Sequence, residues 1–230
     1  MWNGKNKAVT FSFDDGCQQD IVLIKMLDKY GLKATFNLNP GDAGVDGSFP
    51  MSGRMVKRII CPLEEIKERY KGHEVAVHCY NHPDLTKMSD EQVIFQINKC
   101  QEMLQDIVGY PVNGMAYPGG CYNEHLLDVM RKNTTIKYSR SAAFYAGLNM
   151  PEEPLTWHQF WWGDPNQKLD QIIDEFLNYS GDEKKVLAIW GHSYELDGMD
   201  GLCKIWEKRF AKLANRDDIF YGTNIEVLEK

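Results

Sequence analysis

Short runs rich in β-branched and aromatic residues alternate along the chain with longer segments whose apolar residues recur at helical spacing. This alternation is typical of βα units built around a parallel sheet. The 230 residues would suit one α/β barrel or two small domains, and no linker-like stretch or internal repeat divides them. We therefore interpret residues 1–230 as a single domain. The predicted strands are 7–13, 34–38, 74–78, 113–117, 135–139, 155–160, 185–191 and 219–221, and the predicted helices are 20–30, 63–70, 89–108, 123–131, 169–179 and 202–213. The glycine-rich stretch 39–57 is expected to be irregular.

The composition excludes several classes of protein. A hydrophobic content of 43% argues against wholesale disorder. The net charge of −7 argues against a general nucleic-acid binder and against docking on anionic lipid. No apolar run approaches the roughly 18 residues of a membrane helix, and the first residues lack an apolar signal segment, so we expect a cytoplasmic protein. The six cysteines form no C-x-x-C pair and are expected to be reduced thiols.

Chemically capable residues follow four of the predicted strands, at the point where each strand ends. An Asp14-Asp15-Gly16 turn follows the first strand, the segment 78–83 ends the third, Pro118-Gly119-Gly120 follows the fourth, and His192 follows the strand at 185–191. In a parallel barrel the carboxyl ends of all strands lie on one face, where active sites form. We therefore expect these four segments to share one pocket.

Two aspartates and two histidines in these segments have the chemistry of a catalytic metal site. Adjacent Asp14 and Asp15 would point in different directions and serve different roles, although Asp and Gly are also favoured in simple turns. His78 and His82 are spaced i, i+4, which on a helical turn would let both imidazoles hold one ion, while two surface histidines are the alternative. One carboxylate and two imidazoles leave coordination positions open and suit Zn²⁺, Co²⁺, Ni²⁺, Fe²⁺ or Mn²⁺.

The other two segments have more ambiguous chemistry. Pro118-Gly119-Gly120 would let the backbone approach a ligand and offer N–H groups to an oxyanion, or would form a plain βα turn. His192 follows a strongly apolar strand, where a histidine is often structural; beside a metal site it would be a plausible general acid.

Taken together, the four segments resemble the motifs of polysaccharide deacetylases with a NodB homology domain, carbohydrate esterase family 4. SFDDG at 12–16 is similar to the family's T-F-D-D-G, and HCYNHP at 78–83 to its H-[ST]-x-x-H-P. AYPGG at 116–120 and LAIWGH at 187–192 resemble the R-x-P-x-G and L-x-x-x-H segments. The motifs occur in the family order, and the resemblance covers about residues 7–221. It implies a distorted (β/α)₇ barrel.

The resemblance also implies roles for the site residues. Asp14 would be the catalytic base, and Asp15 would bind the metal with His78 and His82, with Zn²⁺ as the expected ion. His192 would be the general acid.

The resemblance further implies that the backbone N–H of Gly119 helps to form the oxyanion hole. We also expect Tyr117 and Trp162 to contribute to substrate binding, although an aromatic role in the core is equally compatible with the sequence.

The chain departs from the family pattern at several positions: Cys79 replaces the usual Ser or Thr, and Gly119 lacks the usual aromatic side chain. Ala116 occupies the position of an arginine that in many relatives orients the base. The family's D-x-x-D-W motif has no clean counterpart, and 161–164 (WWGD) is the nearest candidate. The partner that tunes His192 is also undetermined; the candidates are Asp164, Glu195 and Asp197.

The leading hypothesis is a metal-dependent hydrolase that removes acetyl groups from an N- or O-acetylated carbohydrate. The missing arginine motivates an alternative, a related hydrolase of C–N bonds in small cyclic amides. The unmatched motif motivates a second alternative, a catalytically silent glycan-binding module. The expected partner is an acetylated glycan or oligosaccharide, with neither nucleic acid nor membrane, and the sequence leaves the oligomeric state open.

Overall fold

The computed structural model describes residues 2–142, 146–164 and 168–229. The strands in these residues are β1 (Lys7–Asp14), β2 (Ala34–Leu38), β3 (Asp46–Met51), β4 (Arg54–Ile59), β5 (Glu74–Val77), β6 (Gly114–Ala116), β7 (Tyr138–Ser141), β8 (Trp157–His158), β9 (Phe160–Trp161), β10 (Lys185–His192) and β11 (Ile219–Tyr221). The helices are α1 (Asp20–Lys29), α2 (Leu63–Arg69), α3 (Asp90–Val108), α4 (Glu124–Asn133), α5 (Lys168–Asn178), α6 (Glu195–Gly198), α7 (Leu202–Leu213) and α8 (Asn224–Leu228).

One parallel sheet forms the centre of the molecule, in the order β8-β7-β6-β5-β2-β1-β10-β9, and β11 pairs with the start of β1. The two end strands, β8 and β9, are separated by only one residue, the buried Gln159. Because β8 pairs with β7 and β9 pairs with β10, this short interrupted segment connects the two edges of the sheet. Taken as one segment, β8 and β9 give the barrel seven strand positions among the described residues, and β11 lies outside this path. The predicted distorted (β/α)₇ barrel is confirmed.

The apolar residues of the sheet and of the surrounding helices form the core. Every residue of β1 is buried, as expected for a parallel strand that is covered on both faces. The helix predicted at 89–108 is observed as α3: Ser89 caps it in a capping box with Gln92, and Gly109 ends it with φ +81°. Among the described residues, no helix is both long and apolar enough to cross a bilayer.

The stretch 39–57 was expected to be irregular, and this expectation was wrong. It contains most of an antiparallel hairpin, β3–β4, whose strands have few buried residues. Glycines and a proline interrupt its hydrophobic alternation, and that is why the sequence pattern did not indicate strands. The hairpin lies against the turn that follows β1, because the Gln18 N–H donates to the Ile59 carbonyl and the Cys61 N–H to the Gly16 carbonyl, both at 2.8 Å.

Two other predicted strands are displaced. The strand predicted at 135–139 is observed at Tyr138–Ser141, and the one at 155–160 is divided into β8 and β9. The observed strands are only two to four residues long, so pairing with their neighbours fixes their ends more than local propensity does.

Candidate active site

The carboxyl ends of β1, β5 and β10 bring the predicted acid, base and metal ligands together. Asp14 is the last residue of β1, and its register partner in the neighbouring strand is His192, the last residue of β10. Asp15 follows in the left-handed region at φ +75°, so its carboxylate takes a different direction from that of Asp14. His78 follows β5 directly.

Asp15, His78 and His82 form a compact cluster. One ligand atom from each lies within 4.8 Å of the others, and Asp15 Oδ1 is 3.7 Å from His78 Nε2 and 3.8 Å from His82 Nε2. The i, i+4 spacing predicted convergence on a helical turn. The structure instead uses a non-helical turn in which Cys79 and His82 have φ values of +63° and +57°.

The donor atoms of this cluster suit a divalent cation. Asp15 Oδ1 and His78 Nε2 are both buried, and neither has a hydrogen-bond partner in the described part of the chain. His78 Nδ1 donates to the Ala116 carbonyl at 2.8 Å, which leaves the lone pair on Nε2. Burial lowers the pKa of His78 despite the nearby carboxylates, so the imidazole is held neutral, as a ligand must be.

Asp14 is held as a buried carboxylate by two side chains. Asn37 Nδ2 donates to Asp14 Oδ1 at 2.9 Å, and Arg140 contacts both carboxylate oxygens. Burial alone would raise the pKa of Asp14, but the charge of Arg140, with smaller contributions from His78 and His192, lowers it to about 2. Asp14 is therefore ionised and able to accept a proton at any ordinary working pH.

Sequence reasoning missed Arg140, which contacts the base from the strand next to that of Ala116. These two residues are register partners on β6 and β7, so their side chains leave adjacent strands at the same level of the barrel. The Arg140 guanidinium is fully buried and lies 4.7 Å over the ring of Trp190. The signal available in the sequence was a lone arginine directly after the strand predicted at 135–139, and a charged residue in such a position is rarely buried without a partner.

His192 has a carboxylate partner. Its Nδ1 is 3.3 Å from Glu195 Oε1, and its Nε2 is 3.9 Å from Asp14 Oδ2. Burial would lower the pKa of His192, but the hydrogen bond and charge of Glu195 outweigh this effect and raise it. His192 is therefore more readily protonated than an ordinary histidine, which suits a general acid.

Glu195 is the residue, among the three candidates, that contacts His192. The Asp164 carboxylate accepts from the backbone N–H of Leu169 at 3.2 Å, and Asp197 accepts from Gln19 Nε2 at 2.8 Å. Helix α6 begins at Glu195, three residues after His192. This short separation lets the Glu195 carboxylate contact the imidazole at the end of β10.

The structure contradicts the predicted substrate-binding roles of Tyr117 and Trp162. Both are buried, with exposures of 1% and 0%, so neither ring can contact a substrate. Tyr117 donates its hydroxyl to the Leu155 carbonyl at 2.9 Å, while the Trp162 indole N–H donates to Glu195. Trp162 thus helps to position the partner of His192 from within the core.

Gly119 lies in the turn after β6, exposed and with φ +63°. Its conformation is one that glycine adopts at no steric cost. The role of its N–H in an oxyanion hole stays a prediction.

Comparison with known proteins gives consistent results. A family model described as "Polysaccharide deacetylase" matches residues 3–136, more than half of the chain. The peptidoglycan-N-acetylglucosamine deacetylase PgdA of Listeria monocytogenes is 32% identical over 125 residues, covering 54% of this chain and 24% of that protein. The peptidoglycan-N-acetylmuramic acid deacetylase PdaC of Bacillus subtilis is 26% identical over 200 residues, covering 86% of this chain and 35% of that protein. The chain thus spans about a quarter to a third of the length of these relatives.

Solved structures show the same fold. The structure of a putative polysaccharide deacetylase from Mycobacterium smegmatis aligns with a TM-score of 0.65 at 17% identity, covering 97% of this chain and 89% of that one. The structure of Bacillus subtilis PdaC aligns with a TM-score of 0.55 at 21% identity, covering 97% and 91% of the two chains.

Proposed function

Because this chain belongs to the polysaccharide deacetylase family, we propose that it is a metal-dependent hydrolase that removes acetyl groups from an N- or O-acetylated carbohydrate. The family implies a divalent metal, and we propose Zn²⁺, held by Asp15, His78 and His82. Such an ion, when bound, would act as a Lewis acid and lower the pKa of water to about 7. Carboxylate and imidazole ligands are compatible with this ion.

The remaining steps fall to side chains of this chain. Asp14, ionised and fixed by Arg140 and Asn37, would accept the proton of the attacking water. His192, its pKa raised by Glu195, would donate a proton to the departing amine or alkoxide so that acetate can leave. The Gly119 N–H would donate to the developing oxyanion.

The observation that carries this proposal is the placement of Asp14 beside the metal-ligand cluster. His78 Nε2, which has no hydrogen-bond partner within the described residues, lies 3.9 Å from Asp14 Oδ2 and 3.7 Å from Asp15 Oδ1. A base and a site for a Lewis acid are therefore held side by side, as hydrolysis of an acyl group requires.

Acetate release from acetylated oligosaccharides tests the proposal. We expect release by the Zn²⁺-loaded protein, a large fall after chelation with recovery on adding Zn²⁺, and loss in Asp14→Asn. Asp128→Asn, which changes a carboxylate of α4 that is 60% exposed, is the matched control and should retain activity. Full activity of the Asp14 variant, or of the metal-free protein, would contradict the proposal.

Each of the two alternative hypotheses rested on a family feature that the sequence lacks. Hydrolysis of cyclic amides was suggested by the absence of an arginine at Ala116, and Arg140 now contacts the base from the adjacent strand. A silent binding module was suggested by the unmatched motif, and Glu195 now contacts His192. These contacts support the deacetylase hypothesis over both alternatives.

A further inference from the structure

The β3–β4 hairpin brings a cation to the metal-ligand cluster. Arg58 lies near the end of β4, between Lys57, whose carbonyl accepts from Gln19 Nε2 at 2.9 Å, and Ile59, whose carbonyl accepts from the Gln18 N–H at 2.8 Å. Both hydrogen bonds attach β4 to the segment just after Asp15. The backbone of Arg58 is therefore fixed against the site.

The Arg58 guanidinium is only partly used by the protein. Its Nε is 3.4 Å from Asp15 Oδ2, and the side chain is 27% exposed. The two Nη groups reach solvent, and neither has an acceptor in the part of the chain that the structure describes. Asp42 adds a negative charge in the vicinity but forms no ion pair with Arg58.

The charges around the site become unequal once a cation is bound. Asp14 is matched by Arg140, and Glu195 is matched by His192. The remaining carboxylate, Asp15, would direct its Oδ1 at the cation, and its contact with Arg58 is long. In a loaded site Arg58 is thus the cation whose charge is least compensated, and guanidinium groups with free Nη donors bind carboxylates and phosphates through two parallel hydrogen bonds.

The hairpin also extends from this cation to the general acid. Phe49 of β3 packs edge-on against Tyr194, with 5.0 Å between ring centroids. Tyr194 in turn stacks on His192 at 4.7 Å. A substrate that lies between the cluster and His192 would therefore lie along the hairpin and within reach of Arg58.

We propose that Arg58 binds a carboxylate or phosphate group of the substrate next to the acetyl group that is removed, so that this chain prefers an acidic acetylated sugar. The proposal rests on the proposed deacetylase function. It assigns to the hairpin a role in substrate selection.

Kinetics on matched substrates test the assignment. We would compare an acetylated disaccharide that bears a carboxylate, its neutral methyl ester, and an analogue that bears a phosphate monoester. Loss of a charge-assisted hydrogen bond predicts that Arg58→Gln lowers kcat/KM about 10- to 100-fold on an acidic substrate, mainly through KM, and by less than about 3-fold on the ester. Comparing the two acids shows which anion the site recognises.

Two further variants serve as controls. Arg58→Lys keeps the charge but loses the bidentate geometry, so its effect on the acidic substrate should be intermediate. Arg54→Gln removes the same charge from the other end of β4, where Arg54 is exposed and paired with Asp200, and it should leave every substrate unaffected. An equal fall of Arg58→Gln on acidic and neutral substrates, or a loss of bound zinc that accounts for the fall, would make Arg58 a positioning residue for Asp15 and overturn the proposal.

A binding measurement separates this proposal from the proposed reaction. Calorimetry of the Zn²⁺-loaded wild type and Arg58→Gln would use the deacetylated forms of the same sugars, which need no catalysis. Tighter binding of an acid than of the ester, lost in Arg58→Gln, would support the proposal even if no acetate were released from any substrate. Equal binding of the acids and the ester by the wild type would refute it, whatever the activity.

Discussion

Replacement of Arg140 by methionine should destabilise this protein because it leaves a buried charge without a partner. Arg140 and Asp14 have side-chain exposures of only 1% and 5%, and the guanidinium contacts both carboxylate oxygens. Methionine approximates the apolar stem of arginine but carries no charge. The carboxylate of Asp14 would then keep only the Asn37 amide and nearby imidazoles as partners.

The size of the effect follows from the pKa of Asp14. A pKa of about 2 in the folded state, against 3.8 for an unperturbed carboxyl, corresponds to about 2.5 kcal/mol of stability. Because the folded-state pKa is the lower one, this contribution is present above pH 4 and disappears as the pH falls towards 2. Breaking a buried pair also leaves an uncompensated charge, so at pH 7 we expect Arg140→Met to cost about 3–5 kcal/mol.

A double-mutant cycle with Asp14→Asn measures the interaction directly. Urea unfolding at pH 7 with chelator should show that each single variant is strongly destabilised, whereas Arg140→Met/Asp14→Asn loses less than the sum by at least about 2 kcal/mol. The matched cycle uses Arg209→Met and Asp170→Asn, since Arg209 is also buried, at 5% exposure, but its partner is 49% exposed. Coupling there should stay below about 1 kcal/mol. Additive losses at Arg140 and Asp14 would refute the reasoning.

Three further changes give distinct outcomes. Glu195→Gln removes the carboxylate that raises the pKa of His192, so the alkaline limb of the pH profile of kcat/KM should move to lower pH; an unmoved limb would exclude His192 as the acid. Burial, acting against its hydrogen bonds, raises the pKa of Asp20 to about 7, so the folded state binds the proton more tightly and stability should fall as the pH rises from about 4 to 7. Urea midpoints for Asp20→Asn should lack that fall. Gly191→Ala would drive a Cβ into the Trp162 ring and should cost about 1–3 kcal/mol in urea unfolding, and an unchanged midpoint would show that the ring can move aside.

The sequence could predict the fold and the assembly of the site because both follow from general rules of βα architecture. Alternating strands and helices indicate a parallel sheet, and parallel strands place their carboxyl ends on one face. Asp14, Asp15, His78 and His192 all lie at such ends, so their proximity needed no knowledge of loop conformation.

The directions of individual side chains could not be predicted in the same way. Tyr117 and Trp162 follow β6 and β9 directly, as the site residues follow their own strands, yet both rings point into the core. At a strand end the alternation of side chains gives way to local turn geometry, and a shift of one residue reverses the direction. The hairpin that carries Arg58 was missed for a related reason, since its few buried residues give it almost no hydrophobic signature.

The position of Arg140 shows what a linear motif leaves out. The base requires a cation at one point in space, and that point is within reach of two neighbouring strands, which lie about 4.8 Å apart. Ala116 and Arg140 are register partners, so a long side chain from either position can meet Asp14. A sequence motif on β6 can identify an arginine only at position 116. An arginine at position 140 can be identified only when the pairing of β6 with β7 is known. In this chain β7 supplies the charge beside the base, and that charge holds the pKa of Asp14 below its usual value.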